Sequence, residues 1–199
     1  SALSTIDIGP FVRFQRVAAI RPDESYDTVF SELYVSIADI QRAHAPGIDL
    51  LAQRWLFHSL TRELDRRVIA YLNIVDPASL PRAFSINLDL PGLDPHTMIA
   101  LAELNRRLSG YQMFIEASHL DAFVDLKNFS NASTRLQAMG YRIFLDGLCH
   151  HTLPLTNRAR LEADSLKVRW APAFEKEGMA LQARRLREAV PRAGLQSVI

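Results

Sequence analysis

Four residues stand where apolar runs end, a fifth lies inside one, and all carry groups that bind or move charge. Asn87 closes Phe84-Ser85-Ile86, Glu116 closes Met113-Phe114-Ile115, Asp146 closes Ile143-Phe144-Leu145, and Lys167 follows Leu166. Glu32 lies inside Phe30-Ser31-Glu32-Leu33-Tyr34, and a carboxylate within such a strand needs a partner or a metal. Glu32, Asn87, Glu116 and Asp146 offer only oxygen donors, so they favour a hard cation such as Mg²⁺, Mn²⁺ or Ca²⁺. Zinc, which prefers imidazole and thiolate, fits poorly. Taken singly, each residue could instead cap a helix or meet a backbone donor; four in register point to a shared site.

Converging strand ends need an architecture that aligns them. The spacing predicts strands near 12–20, 29–37, 83–89, 111–116, 141–146, 164–169 and 195–199, the first two forming a hairpin with its turn over Arg21 to Thr28. Between them lie helical patterns. Ile48, Leu51, Trp55, Leu56, Leu60, Leu64, Val68 and Tyr71 form one stripe. Asp94-Pro95 caps a second helix that carries Met98, Leu101, Leu104 and Leu108 and stops at Gly110. A third places Ala122, Leu126, Phe129, Ser133 and Leu136 on one face and ends at Gly140, and a fourth spans Pro172 to Ala193. The segment from Ile40 to Gly47 reads as a polar loop. Repeated strand-helix units imply an α/β fold, either a doubly wound sheet or a (β/α)8 barrel, and in such folds active sites sit at the rim formed by the strand ends. Seven strands fall one short of a closed barrel, so a barrel is expected to be C-terminally incomplete here, with Leu195 to Ile199 as a strand cut short.

The chain has 199 residues with 48% hydrophobic and 23% charged, the size of a single domain over 1–199, with Ser1-Ala2 expected to be left over from cloning. Its net charge of +1 is too balanced for non-specific nucleic-acid binding. No apolar run approaches a membrane span, no secretory signal is visible, and the single Cys149 cannot form an internal disulfide. A reducing cytoplasm is expected.

The motifs, in their order, resemble the EAL domain, the barrel of bacterial cyclic di-GMP signalling. Phe14-Gln15-Arg16 is similar to the family's Tyr-Gln-Pro, Ser31-Glu32-Leu33-Tyr34 falls at Glu-Ala-Leu, and Gln53-Arg54-Trp55-Leu56 at Asp-Arg-Trp-Val. Ser85-Ile86-Asn87-Leu88 resembles Ser-Val-Asn-Leu closely, and Ile115-Glu116-Ala117-Ser118-His119 holds the Glu-Leu-Thr-Glu place. Gly140 to Asp146 matches Gly-Val-Arg-Ile-Ala-Leu-Asp, and Leu166-Lys167-Val168-Arg169 matches Leu-Lys-Ile-Asp. The resemblance implies a (β/α)8 barrel of EAL type and, in active members, hydrolysis of cyclic di-GMP to pGpG by two metal ions. It also implies that Glu32, Asn87, Glu116 and Asp146 are first-metal ligands, that Lys167 holds the water, and that Gln15 meets a guanine.

Other family positions are lost. The aspartate that follows Asp146 in the family is Gly147 here, and the glycine-rich loop after it is Leu148 to His151. The phosphate-binding arginine is Ser36, which cannot replace a bidentate guanidinium. The second glutamate of Glu-Leu-Thr-Glu is His119, the aspartate of Lys-Ile-Asp is Arg169, and the late Glu-Gly-Val-Glu segment is expected beyond Ile199. Losing charged ligands from a two-metal site removes orders of magnitude in rate, so the resemblance implies a degenerate phosphodiesterase with at most one residual Mg²⁺, Mn²⁺ or Ca²⁺ site and no functional catalytic residue. The function expected is signalling through a protein partner, with cyclic di-GMP reception without cleavage, or residual hydrolysis, as alternatives. Homodimerisation through mid-chain helices is a further expectation of the resemblance. Cys149, His150 and His151 read as a rebuilt loop rather than a transition-metal site, and Arg184, Arg185, Arg187 and Arg192 as a solvated face.

Overall fold

Alternating apolar positions along each strand face opposite sides of a sheet, and here both sides are used. The computed structural model describes residues 6–20, 25–47, 54–153, 156, 161–169 and 171–172. Within them one six-stranded sheet runs in the order β1 (Val12–Ile20), β2 (Tyr26–Val35), β3 (Ala83–Asn87), β4 (Gln112–Ser118), β5 (Arg142–Leu148) and β6 (Ser165–Val168). β1 pairs antiparallel with β2, and every later pair is parallel. The helices are α1 (Ile37–His44), α2 (Arg54–Ile74), α3 (Pro95–Arg107), α4 (His119–Val124) and α5 (Leu126–Ala138).

Leu33, Phe84, Ile86, Met113, Ile115, Ala117, Ile143, Leu145 and Leu166 join the main core beneath the helices, which contribute Leu60, Leu64, Ile69, Leu72, Met98, Leu101, Leu104, Phe129 and Leu136. The alternate residues face the other way. There Phe30, Phe114 and Phe144 form a separate cluster, with ring centroids 4.9–5.5 Å apart. Above it, on the same face, stand Glu32, Glu116 and Lys167.

The sheet is strongly curled. β2 and β6 are four strands apart, about 19 Å in a flat sheet, yet Lys167 Nζ reaches Glu32 Oε2 at 2.8 Å. Only curvature about the phenylalanine-lined face permits that contact, so the described strands form part of a barrel wall around an inner core. Closure by eight strands concerns residues outside those described, as do the expected strand at 195–199 and the helix from 173 onward. The first part of the long helical stripe, through Leu56, also lies outside the described side chains.

Local chemistry sets the boundaries. Asp94 caps α3, accepting from Thr97 N and Thr97 Oγ1, both at 2.9 Å, and the backbone bond from Thr97 is the main reason its carboxyl is held down at about 2. Asp65 of α2 accepts from Asp89 N at 3.1 Å and ties down the loop after β3, where Arg62 Nε also meets Asp89 Oδ2 at 2.6 Å. Burial pushes the Asp65 carboxyl up to about 7, with Asp89 and Asp121 adding to the shift.

The segment from Ile40 is not a loop. It belongs to α1, whose N-cap Ser36 accepts from Asp39 N at 3.3 Å and whose Ile40 is buried. The third expected helix is two helices, because Asp125 leaves helical φ/ψ, ends α4 and caps α5 through Asn128 N at 3.1 Å. That break resets the phase and leaves Leu126 exposed rather than buried. Tyr26 to Thr28, expected in the hairpin turn, extends β2 instead. No helix among the described residues is long and apolar enough to cross a membrane.

Candidate functional site

Parallel strands with a common period bring equivalent positions to one end, and register decides which of them meet. Asn87 pairs with Glu116, Glu116 with Phe144, and Ser118 with Asp146, so the polar positions climb one rim as the barrel staggers. Lys167 is the hub. Its Nζ lies 2.8 Å from Glu32 Oε2, 2.7 Å from Glu116 Oε2 and 4.0 Å from Asp146 Oδ2. Asn87 Nδ2 approaches Glu32 Oε1 at 3.5 Å.

Glu116 is the deepest member, with a fully buried side chain. Its second oxygen accepts from Ser85 Oγ at 2.6 Å. Burial pushes the Glu116 carboxyl up, while the charge and hydrogen bond of Lys167 and the bond from Ser85 pull the other way. Burial alone would lower the Lys167 ammonium, but Glu116, Glu32 and Asp146 outweigh it and raise it, so the cation stays charged. Ser85 is a site residue that no strand-end pattern singled out. The signal for it was a polar residue two before Asn87, on the face that otherwise carries phenylalanine.

Each expected position can now be placed. Glu32, Asn87, Glu116, Asp146 and Lys167 come together. Gln15 stands opposite Glu32 in the antiparallel register and is exposed at the rim. Ser36 is spent on capping α1. Arg169 is exposed, and its backbone N donates to Leu148 O at 2.7 Å.

Gly147 and His119 form a unit. The β5–β6 pairing shifts register between Leu145 and Leu148, a bulge in which Gly147 adopts φ 80°. The bulge aims Asp146 into the site and turns Leu148 into the helix-side core, so Leu148 is the end of β5 rather than loop. Asp146 Oδ1 accepts from Gly147 N at 2.6 Å. His119, buried at the start of α4, holds Nδ1 3.0 Å from Asp146 O. A Cβ at position 147 would lie 3.0 Å from that same Nδ1. The place next to Asp146 is therefore filled by an imidazole packed on a glycine.

The donor set decides what could bind. Glu32, Glu116, Asp146 and the Asn87 amide suit one hard cation by type. Among the described residues, the position beside Asp146 is lined by Gly147 and His119 and by no second carboxylate. Among the described residues no group of three or more His, Cys, Asp or Glu side chains is arranged to hold an ion.

Comparison of the whole fold with solved structures is decisive for architecture. The EAL domain of FimX from Xanthomonas citri, solved with cyclic di-GMP, superposes with a TM-score of 0.61 over 92% of this chain and 76% of that one, at 16% identity. This chain has the EAL fold. BlrP1 from Klebsiella pneumoniae matches in its manganese and cyclic di-GMP complex, with a TM-score of 0.51 and 15% identity over 80% of this chain. Its calcium and cyclic di-GMP complex gives 0.51 and 14%. This chain spans 40% of the BlrP1 chain in the manganese complex. No family model and no curated protein matches the sequence. The EAL fold thus accounts for the antiparallel β1, the parallel run that follows and the rim on which the polar cluster stands.

Proposed function

We propose that the chain is a hydrolytically silent EAL-type signalling domain that acts through contacts with a protein partner. The observation that carries this reading is the Gly147–His119 unit. Two-metal hydrolysis needs ligands on both sides of the attacking water, and beside Asp146 the described residues offer a glycine at φ 80° with an imidazole against it. Ser36, engaged as a helix cap, offers no guanidinium for a phosphate. A cytoplasmic setting and homodimerisation remain part of the proposal, as does one divalent ion on Glu32, Asn87, Glu116 and Asp146. When bound, that ion would polarise a phosphate oxygen.

A pull-down from a bacterial lysate with the intact protein tests the partner reading. A reproducible partner whose capture survives Glu116→Gln supports it, and the lack of any partner counts against it. The second reading, a cyclic di-GMP receptor, is favoured by the exposed Gln15 beside Glu32 and by the FimX EAL domain having been solved with that nucleotide. Calorimetry with cyclic di-GMP, with and without Mg²⁺ or Ca²⁺, separates the two. Affinity in the micromolar range or tighter makes it a receptor.

A further inference from the structure

The short helix α4 buries His119 and Ala122 and leaves its other apolar side chains outside. Leu120 is 53% exposed, Phe123 46% and Val124 87%. They stand at i, i+3 and i+4, so they share one stripe of the helix. Leu126, 48% exposed, follows directly after the break at Asp125. The other exposed large hydrophobics among the described residues are scattered along the chain, which is ordinary, whereas a contiguous cluster marks a contact surface. The charges beside the stripe decide what covers it. Asp121 lies in the first turn of α4, Asp125 is its C-cap, and no Lys or Arg occurs from Leu108 to Leu126, Lys127 being the first. A helix that lies on a membrane carries Lys and Arg beside its apolar face, the opposite arrangement. A second copy would set this patch against itself across a twofold axis, acid facing acid. Four side chains are also few against the roughly 20–30 residues a side of a stable interface. A helix seated in a groove, by contrast, is held by a few anchors at i, i+3 and i+4.

We infer that α4 is a docking helix whose Leu120, Phe123 and Val124 insert into an apolar groove of a different protein, with Lys or Arg on the groove's rim opposite Asp121 and Asp125. The inference rests on the proposed action through a protein partner and adds the surface and the chemistry of that contact. α4 begins where β4 ends, and His119 at its first position holds Nδ1 3.0 Å from Asp146 O, so the docked partner lies next to the polar rim.

The photo-crosslinker p-benzoylphenylalanine, placed at position 120 and activated in the native host, tests it, with the contacted peptide sequenced by mass spectrometry. A second protein carries the crosslinker at position 74, at the end of α2 that leads into β3 and so at the opposite end of the strands from α4. Position 120 should give an adduct with one other protein, on an apolar segment flanked by Lys or Arg. Adding Val124→Asp should weaken that adduct by about tenfold or more, because the docked helix would bury a charge. Val124 is so exposed that the same substitution should leave the thermal melt unchanged. An adduct with a second copy of the chain or with phospholipid overturns the inference, as does a contacted segment without basic residues or an adduct indifferent to Val124→Asp. A protein adduct from position 74 and none from position 120 overturns the docking helix and leaves the partner reading standing. No protein adduct from either position overturns both.

Discussion

Putting an aspartate back at position 147 would restore the carboxylate that the resemblance lacks, and the structure predicts that it will damage the protein instead. Gly147 adopts φ 80°, where a side chain costs about 1–2 kcal/mol. The new Cβ would also sit 3.0 Å from His119 Nδ1, pushing the ring off the Asp146 carbonyl it now contacts at 3.0 Å. Loss of that bond adds about 0.5–1.5 kcal/mol. The two contributions give roughly 1.5–3.5 kcal/mol, or a fall in Tm of roughly 3–14 °C for a chain of this size. Circular dichroism melts of Gly147→Asp, His119→Ala and the double variant are the assay. Because the residues touch, the double variant should be more stable than the sum of the singles implies, by about 1 kcal/mol. A Gly147→Asp protein as stable as the parent, or strict additivity, would refute the coupling on which the account of this position rests.

Three further outcomes follow from other parts of the fold. Asp65 holds its proton more tightly folded than unfolded, so its contribution to stability is fully present below about pH 4 and is lost as pH rises through about 7; Asp65→Asn, which keeps an acceptor for Asp89 N, should therefore be more stable than the parent at pH 8 by roughly 1–3 kcal/mol and match it near pH 4 in urea titrations. Ser36→Ala should lower stability by about 1 kcal/mol through loss of the α1 cap, whereas a Ser36 without that role would change urea midpoints little. Phe144→Ala should cost about 3–5 kcal/mol, because its ring is buried between Phe30 and Phe114; a loss below 1 kcal/mol in chemical denaturation would mean the inner cluster does not support the barrel wall.

Most of the strand plan was legible because period-2 alternation is a local property. Phe84/Ile86 against Ser85/Asn87, and Ile143/Leu145 against Phe144/Asp146, show both faces of the sheet in the bare sequence. Convergence of the strand-end polar residues followed from the parallel register. What escaped was decided by single hydrogen bonds. Ser36 and Asp125 convert an expected loop and an expected single helix into capped helices, and a polar side chain in a sequence does not say which amide it will meet. The β5 bulge was hidden for the same reason. Only the register across to Val168 reveals that Leu148 has changed face. The hub role of Lys167 needed the curl of the sheet, a property of six strands together.

The central claim is that the cluster cannot support two-metal hydrolysis, and one assay addresses it directly. The purified chain incubated with cyclic di-GMP and Mn²⁺, then resolved by chromatography for pGpG, should give no turnover above a no-protein blank. Formation of pGpG that is abolished in Glu32→Ala would contradict the account and place a second metal beside Gly147 after all.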